Sequence, residues 1–267
     1  MEYQRRWENE GTGFTAAYLD IGTDYEANET AASFVKEKIM ETVTDPSKAE
    51  LLSPTNTIGC KRLCMDTNYF ETYNKDNVRI VDVNESPIKG LVLDGVETTE
   101  KIYDFYIIDF AIGFDAMTGA LLSIDITGRN DLTLQEKWSE GPRSYLGLAS
   151  EGFPNMFTIT GPGSPSVLSN MMTSIEQHVE WIFGCISHVE NQSKSTIEAI
   201  RDDENSWMDH VAEVADGTLR YSCNSWYVGA NIPGKKRIFL PYAGGLPQYS
   251  DICDEVASKG YAGFTIT

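Results

Sequence analysis

The chain has 267 residues, of which 41% are hydrophobic and 11% aromatic, a composition typical of a folded globular protein and not of a fibrous or disordered one. Its 21 basic and 40 acidic side chains give a formal net charge of −19, so nucleic acids and anionic membrane surfaces are not expected as partners. The sequence has no apolar run long enough to cross a membrane and no apolar signal core at its start, which predicts a cytoplasmic protein.

The first predicted elements are helices. Apolar residues recur at four-residue steps over 24–43, which indicates an amphipathic helix, and Thr23 with Glu26 predicts a capping box at its start. A second, short helix is predicted over 46–52, between two prolines that interrupt the chain.

From about residue 68 the pattern changes to strands. Alternating apolar residues predict strands over 78–83 and 90–99, and Asp94-Gly95 predicts a tight antiparallel hairpin inside the second of them. The apolar run 106–114 predicts a buried strand that ends at Gly113.

Three further helices are predicted in the second half of the chain, over 170–189, 196–219 and 248–259. The first of them has an apolar stripe that should face the core, formed by Met171, Ile175, Val179, Ile182, Ile186 and Val189. The coarse class is therefore mixed α/β.

The three histidines do not indicate a metal centre. His178, His188 and His210 are not spaced with cysteine or glutamate as a zinc site requires. No metal is expected.

The glycine-rich stretch 161–166 lies between an apolar segment and a helix, which is the layout of an anion site. Pro162 and Pro165 remove two of the amide donors that would bind a phosphate, and the third small residue of a dinucleotide motif is missing. The glycines of 11–16 have the right spacing but follow a charged segment, so we treat the match as chance. Any complete dinucleotide phosphate site would have to lie elsewhere.

Two basic clusters stand out in this acidic chain, and both could bind an anion because guanidinium and ammonium groups suit phosphate oxygens. Two solvated surface patches are the alternative interpretation. Trp226 lies nine positions before the second cluster and could add an aromatic face to it. The clusters are Lys61 with Arg62, and Lys235 with Lys236 and Arg237.

Seven runs of the sequence closely resemble, in order, the C-terminal half of flavin-dependent Baeyer-Villiger monooxygenases. The nearest branch looks like phenylacetone monooxygenase, with cyclohexanone monooxygenase more distant, and the resemblance extends over essentially the whole chain. The runs are 3–11, 60–78, 111–121, 141–157, 161–181, 225–237 and 251–264.

This resemblance implies an enzyme that uses NADPH, FAD and O2 to insert an oxygen atom beside a ketone carbonyl, which gives an ester or lactone. It also implies part of an α/β flavoprotein with two dinucleotide-binding domains, whose N-terminal half is absent. Residues 1–105 would be the C-terminal part of the NADPH-binding domain with a helical insertion, and 106–267 the C-terminal part of the FAD-binding domain.

The resemblance also assigns roles to individual residues. Arg62 matches the catalytic arginine, which also contacts NADP. Lys61 matches its partner at the 2′-phosphate of NADPH, and Trp226 matches the tryptophan that helps to hold this cofactor. The remaining assignments are Met171 at the flavin and Ser166, Val167 and Leu168 in the wall of the substrate pocket, although Leu168 and Met171 could simply be core residues.

The sequence departs from the family in ways that leave alternatives open. Both dinucleotide glycine motifs of the family are absent, and Ile112 stands where the family motif A-T-G-F-D has a threonine. Half of a parallel sheet leaves open edges, so self-association or a need for the missing N-terminal half is expected. The alternatives are a non-catalytic truncated product or binding module, and a related flavin monooxygenase that oxidises nitrogen or sulfur.

Overall fold

The structure is a computed structural model that describes residues 2–267, and it divides into two compact units that separate between residues 112 and 113. Helices and strands occur in both units, so the mixed α/β class predicted from the sequence is confirmed. In the described part of the chain, no helix is long and apolar enough to span a membrane.

The first unit begins with helices. The predicted helix over 24–43 is confirmed, but its predicted capping box is wrong, because Asp24 is the N-cap and its carboxylate accepts a hydrogen bond from the Ala27 amide at 2.9 Å. The α-helices described between residues 2 and 112 are α1 (Glu2–Asn9), α2 (Tyr25–Thr42), α3 (Pro46–Leu52) and α4 (Tyr69–Thr72).

A buried asparagine connects the helices of this unit to the segment before residue 60. The Asn28 amide nitrogen donates to the carbonyl oxygens of Ile21 at 2.7 Å and Ile58 at 3.0 Å, and its oxygen accepts from the Ile58 amide at 3.0 Å. Both N–H groups and the oxygen of the Asn28 side chain are therefore hydrogen-bonded. These bonds hold the backbone at Ile58, just before residues 61 and 62, against α2.

A three-stranded antiparallel sheet completes the first unit, with β1 (Ile88–Val92), β2 (Gly95–Thr98) and β3 (Ile102–Asp104) in that order. The hairpin predicted at Asp94-Gly95 is confirmed. Glycine is required at this turn, because an added Cβ at Gly95 would lie 1.9 Å from the Tyr103 carbonyl oxygen. The strand predicted over 78–83 does not form.

The segment 106–114 does not form the buried strand predicted for it. Its large apolar side chains are exposed, and Ile107 and Ile112 each remain 80% accessible. The apolar pattern is that of a strand buried on both faces, but no described strand pairs with the segment. Within residues 2–267, this apolar segment therefore lies outside both sheets.

The second unit is built around two long helices and a third near the end of the chain. The predicted helix over 196–219 is shorter, because residues 197–199 form a strand before it. The elements are α5 (Gly119–Leu122), α6 (Leu134–Lys137), α7 (Met171–Asn191), β4 (Ile197–Ala199), α8 (Arg201–Asp216), α9 (Leu246–Ser258) and β5 (Phe264–Ile266), with β4 and β5 antiparallel.

Helix α7 buries only part of the predicted stripe, because Val189 is buried and Ile182 packs against the core. Val179 and Ile186, both in the predicted stripe, are 46% and 43% exposed. The buried face also carries polar, aromatic and small side chains. Trp181 anchors this face to α9, because its indole nitrogen donates a hydrogen bond to the Cys253 carbonyl at 2.8 Å. The residues buried on α7 are Ser174, His178, Trp181, Cys185 and Val189.

Candidate active site

The residues singled out by the sequence lie in both units. Lys61 and Arg62 belong to the first unit, and the other five belong to the second, where they occupy the loop before α7, the first residue of α7 and a short 3-10 turn at residues 226–228.

The loop 161–168 is held by backbone hydrogen bonds to a neighbouring segment. The Gly163 amide donates to the Leu240 carbonyl at 2.7 Å, and the Tyr242 amide donates to the Ser164 carbonyl at 2.7 Å. The Gly163 amide is therefore used inside the protein. This amide is therefore not available as a donor to a phosphate.

The position of Gly163 explains why the loop needs glycine there. Its φ of +88° is unfavourable for other residues, and an added Cβ would lie 3.0 Å from Ser144 Oγ and 3.2 Å from Trp207 Nε1. The Trp207 indole nitrogen donates to the Gly163 carbonyl at 3.2 Å. The loop is thus packed directly against α8.

Ser166, Val167 and Leu168 form a 3-10 turn between this loop and α7. Ser166 is buried with a φ of +42°, and its hydroxyl lies 3.9 Å from the Met171 sulfur. Ser169 Oγ donates to the Ser166 carbonyl at 2.9 Å. These contacts link the turn to the first residue of α7, where Met171 remains 36% exposed.

A histidine on α7 ties this helix to the same loop. The His178 Nδ1 accepts a hydrogen bond from the Thr160 amide at 2.9 Å, so the proton of the neutral ring lies on Nε2. Burial lowers the pKa of His178 to about 4, which keeps the ring neutral at physiological pH. Sequence reasoning considered His178 only as a metal ligand and missed this structural role.

The structure brings three of the predicted residues together in one apolar cluster. The side chains of Val167, Leu168 and Trp226 pack against the same buried residues, among them Tyr227 and Phe239. The Trp226 and Tyr227 ring centroids are 4.4 Å apart. The loop before α7 and the 226–228 turn therefore pack on the same apolar cluster of the second unit.

The second basic cluster is largely neutralised by carboxylates. The Lys235 ammonium is paired with Asp115 and lies 2.6 Å from Thr118 Oγ1, and Lys236 is paired with Glu140. These lysines therefore do not form the anion site that was one interpretation of the sequence. Lys235 instead fixes the position of the segment that follows Gly113.

Lys61 and Arg62 lie in an irregular and exposed segment of the first unit. The residue before them, Cys60, is buried, so the chain leaves the core at this point. The Cys64 thiol lies 3.8 Å from the Arg62 carbonyl oxygen. An exposed guanidinium next to an exposed ammonium can bind an anion such as a phosphate, and in residues 2–267 no group of acidic, cysteine or histidine side chains could hold a metal ion.

A buried glutamate, Glu204 on α8, was not found by sequence reasoning. Its carboxylate accepts from the Glu151 amide at 2.9 Å and lies 2.8 Å from Lys137 Nζ. The sequence does not indicate that Glu204 is buried, because it follows two other acidic residues in the first turn of a helix. Such a pattern is typical of a solvated helix start.

Comparison with proteins of known function gives an extensive match. An acetone monooxygenase (methyl acetate-forming) of Gordonia sp. is 40% identical over 255 residues, which are 94% of this chain and 48% of that protein. A Baeyer-Villiger monooxygenase of Pseudooceanicola batsensis is 38% identical over 97% of this chain and 48% of its own length. The chain thus corresponds to the C-terminal half of the Baeyer-Villiger monooxygenases. It spans about half the length of the curated relatives it matches.

Solved structures give the same result for the fold. An oxidized steroid monooxygenase bound to NADP is 46% identical and superposes with a TM-score of 0.90 over 99% of this chain and 50% of that one. An OTEMO complex with FAD and NADP is 36% identical, with a TM-score of 0.95 over 99% of this chain and 49% of that one. The proposed nearness to phenylacetone monooxygenase within the family stays a prediction.

One relative is named for the oxidation of nitrogen and not of a ketone. A phenazine N-monooxygenase of Lysobacter antibioticus is 39% identical over 268 residues, which are 99% of this chain and 49% of that protein. No family model matches the chain.

Proposed function

We propose that the chain is the C-terminal half of an NADPH- and FAD-dependent monooxygenase that inserts one oxygen atom of O2 beside a ketone carbonyl to give an ester or lactone. The observation that carries this proposal is the match of 94% or more of the chain to half of relatives named as acetone and Baeyer-Villiger monooxygenases. The substrate is then a small-molecule ketone.

The two units correspond in this proposal to parts of two dinucleotide-binding domains. The first would be the C-terminal part of the NADPH-binding domain, with its helical insertion, and the second the C-terminal part of the FAD-binding domain. The division of the chain between 112 and 113, close to the expected boundary at 105, supports this assignment.

Arg62 is proposed as the catalytic residue. Negative charge develops as oxygen is transferred to the ketone, and a positioned guanidinium stabilises that charge through a planar fork of donors. Arg62 is an exposed residue of the first unit. Lys61, which is also exposed, would bind the 2′-phosphate of NADPH as a point charge.

The second unit would supply apolar contacts to the cofactors and the substrate. Trp226 would hold the nicotinamide cofactor, Met171 would contact the flavin, and the turn 166–168 would line the substrate pocket. The half-buried side chains of Val167, Leu168 and Trp226 suit such contacts, since each is fixed on one side by the protein and accessible on the other. When bound, FAD would supply the redox chemistry.

The exposed segment 106–114 supports a requirement for the other half of the fold. Its side chains are apolar and highly accessible, and it pairs with no described strand. Because an apolar, unpaired segment readily pairs with another strand, we propose that it inserts into a sheet formed with the N-terminal half. In the absence of that half, the segment would drive self-association.

The function is tested with a chimera that joins this chain to the N-terminal half of the Gordonia acetone monooxygenase. The chimera is incubated with NADPH, ¹⁸O2 and a mixture of ketones, and esters are detected by mass spectrometry. We expect an ester that carries one ¹⁸O atom. A chimera that binds flavin and oxidises NADPH but forms no ester would contradict the proposal, and a chimera that binds no flavin would favour a non-catalytic product.

A second candidate, oxidation of nitrogen or sulfur, is favoured by the similarity to the phenazine N-monooxygenase. Paired assays of the same chimera with a ketone, a thioether and phenazine would separate the two chemistries. Products oxidised at sulfur or nitrogen, with no ester, would replace the ketone proposal by this one.

A further inference from the structure

A cavity of about 430 Å³ lies in the first unit, beside the segment that follows Arg62. Its walls come from the start of the chain, from α2, from Pro54 and from residues 63–66 and 70–71, so all of it belongs to one compact unit. The volume falls in the lower part of the roughly 300–1,000 Å³ range of small-molecule sites. The large apolar residues around it are Trp7, Phe14, Ile39, Leu63, Met65 and Phe70.

The polarity and charge of the residues that line the cavity indicate which class of ligand it would bind. Aromatic and aliphatic side chains dominate it, and the charged residues that reach it are Lys38, Asp66 and Glu71. The Lys38 ammonium lies 2.7 Å from a Glu41 carboxylate oxygen, so its charge is already paired. Two carboxylates disfavour an anion, and the apolar walls disfavour a cation, which leaves an uncharged compound. The aromatic rings of Trp7, Phe14 and Phe70 in the lining suit a ligand that is itself a ring.

Apolar side chains at the cavity remain accessible and would lose contact with water on binding. Trp7 is 40% exposed, Leu63 36% and Met65 72%. Met65 also packs onto the backbone at Gly11, where an added Cβ would lie 2.5 Å from the Met65 sulfur. Burial of these side chains against an apolar ligand is favourable, in proportion to the area removed from water.

We propose that this cavity binds an uncharged aromatic or alicyclic molecule, and that the bound molecule fixes the backbone that carries Arg62. The cavity wall includes Leu63 and Cys64, which directly follow Arg62, and the Cys64 thiol contacts the Arg62 carbonyl oxygen. An occupant packed against these residues restricts the segment. The binding site stands on the cavity alone, whereas its effect on Arg62 rests on the proposed function.

Cys64 provides a direct reporter, because its side chain lines the cavity. It is exposed, whereas Cys185 and Cys253 are buried and burial raises the pKa of each thiol to about 12. The experiment compares the rates at which N-phenylmaleimide and N-hydroxyethylmaleimide modify Cys64, measured by mass spectrometry of the peptide. Both reagents are uncharged, and their rates with free glutathione correct for intrinsic reactivity.

After this correction, the phenyl reagent is expected to modify Cys64 about tenfold faster than the hydroxyethyl reagent, the preference expected for burial of one aromatic ring. Toluene should compete and reduce this preference. A corrected rate ratio near one that toluene does not change would overturn the proposal. This comparison uses the unmodified chain, so it does not depend on the folding of any variant.

Two variants test whether the faster reaction of Cys64 with the phenyl reagent depends on the cavity. Thr12 is exposed and lines the cavity, so Thr12→Phe should fill it and abolish the phenyl preference. Thr23 is exposed and is not part of the lining, so Thr23→Phe should leave the preference unchanged. Because the readout is thiol modification, an inactive chimera would refute the proposed function and leave the ligand site intact.

Discussion

Replacement of Glu204 by alanine is expected to lower the free energy of unfolding of the second unit by about 3 kcal/mol. Glu204 is fully buried, and its carboxylate satisfies both the Glu151 amide at 2.9 Å and Lys137 Nζ at 2.8 Å. The Lys137 side chain is itself only 11% exposed. Loss of one partner from a buried pair costs about 3–5 kcal/mol, and the lower value applies because the Glu151 carboxylate still lies 2.7 Å from Lys137 Nζ.

Urea and thermal unfolding, followed by tryptophan fluorescence, measure this effect. A loss of about 3 kcal/mol in a unit of this size corresponds to a fall in Tm of about 6–12 °C. Glu213→Ala is the matched control, because Glu213 is exposed on the same helix and its replacement should change stability by no more than about 0.5 kcal/mol. Equal effects of the two substitutions would refute the reasoning.

Three further outcomes are expected. In the chimera, Arg62→Lys should reduce ester formation in a single turnover by about 100-fold or more and NADPH binding much less, because an ammonium lacks the planar fork; equal losses would argue against its assigned role. The pKa of His178 is lowered to about 4 from a value of 6.5 in the unfolded chain, so its stabilising effect is present above pH 6.5 and is lost as the pH falls towards 4. The free energy of unfolding of the parent chain should fall between pH 7 and pH 5, and this fall should be about 1–2 kcal/mol smaller in His178→Gln. Curves of Tm against pH that run parallel for the two proteins would contradict this expectation. The isolated chain should self-associate in sedimentation velocity, and Ile107→Glu with Ile112→Glu should reduce this; a monodisperse, monomeric parent chain would contradict it.

The longer helices and the hairpin were predictable from local signals, whereas most of the short helices and the pattern of burial were not. Helix α2 has a clear helical period, and Asp94-Gly95 is a strong hairpin signal, so both were found. The apolar run 106–114 has the composition of a buried strand, but a strand also needs neighbours to pair with. On α7 both faces carry apolar residues, so the periodicity could not distinguish the buried face from the exposed one.

The candidate site was predictable only through resemblance to a family. Trp226 lies far from Val167 and Leu168 in the sequence, and the structure shows that all three share one cluster. The pair of Asp115 and Lys235 was not predictable, because 120 positions separate the two residues and neither has a local motif that identifies its partner. Long-range pairs of this kind are set by the fold and leave no periodic signal.

The most direct test of the account is complementation between two separately produced polypeptides. This chain and the N-terminal half of the Gordonia acetone monooxygenase are mixed with FAD, separated by size-exclusion chromatography and monitored by flavin absorbance. We predict a complex with one copy of each polypeptide and one flavin, and no flavin bound to this chain alone. Failure of the two halves to associate, or flavin bound fully by this chain alone, would contradict the claim that it is one half of a flavin monooxygenase.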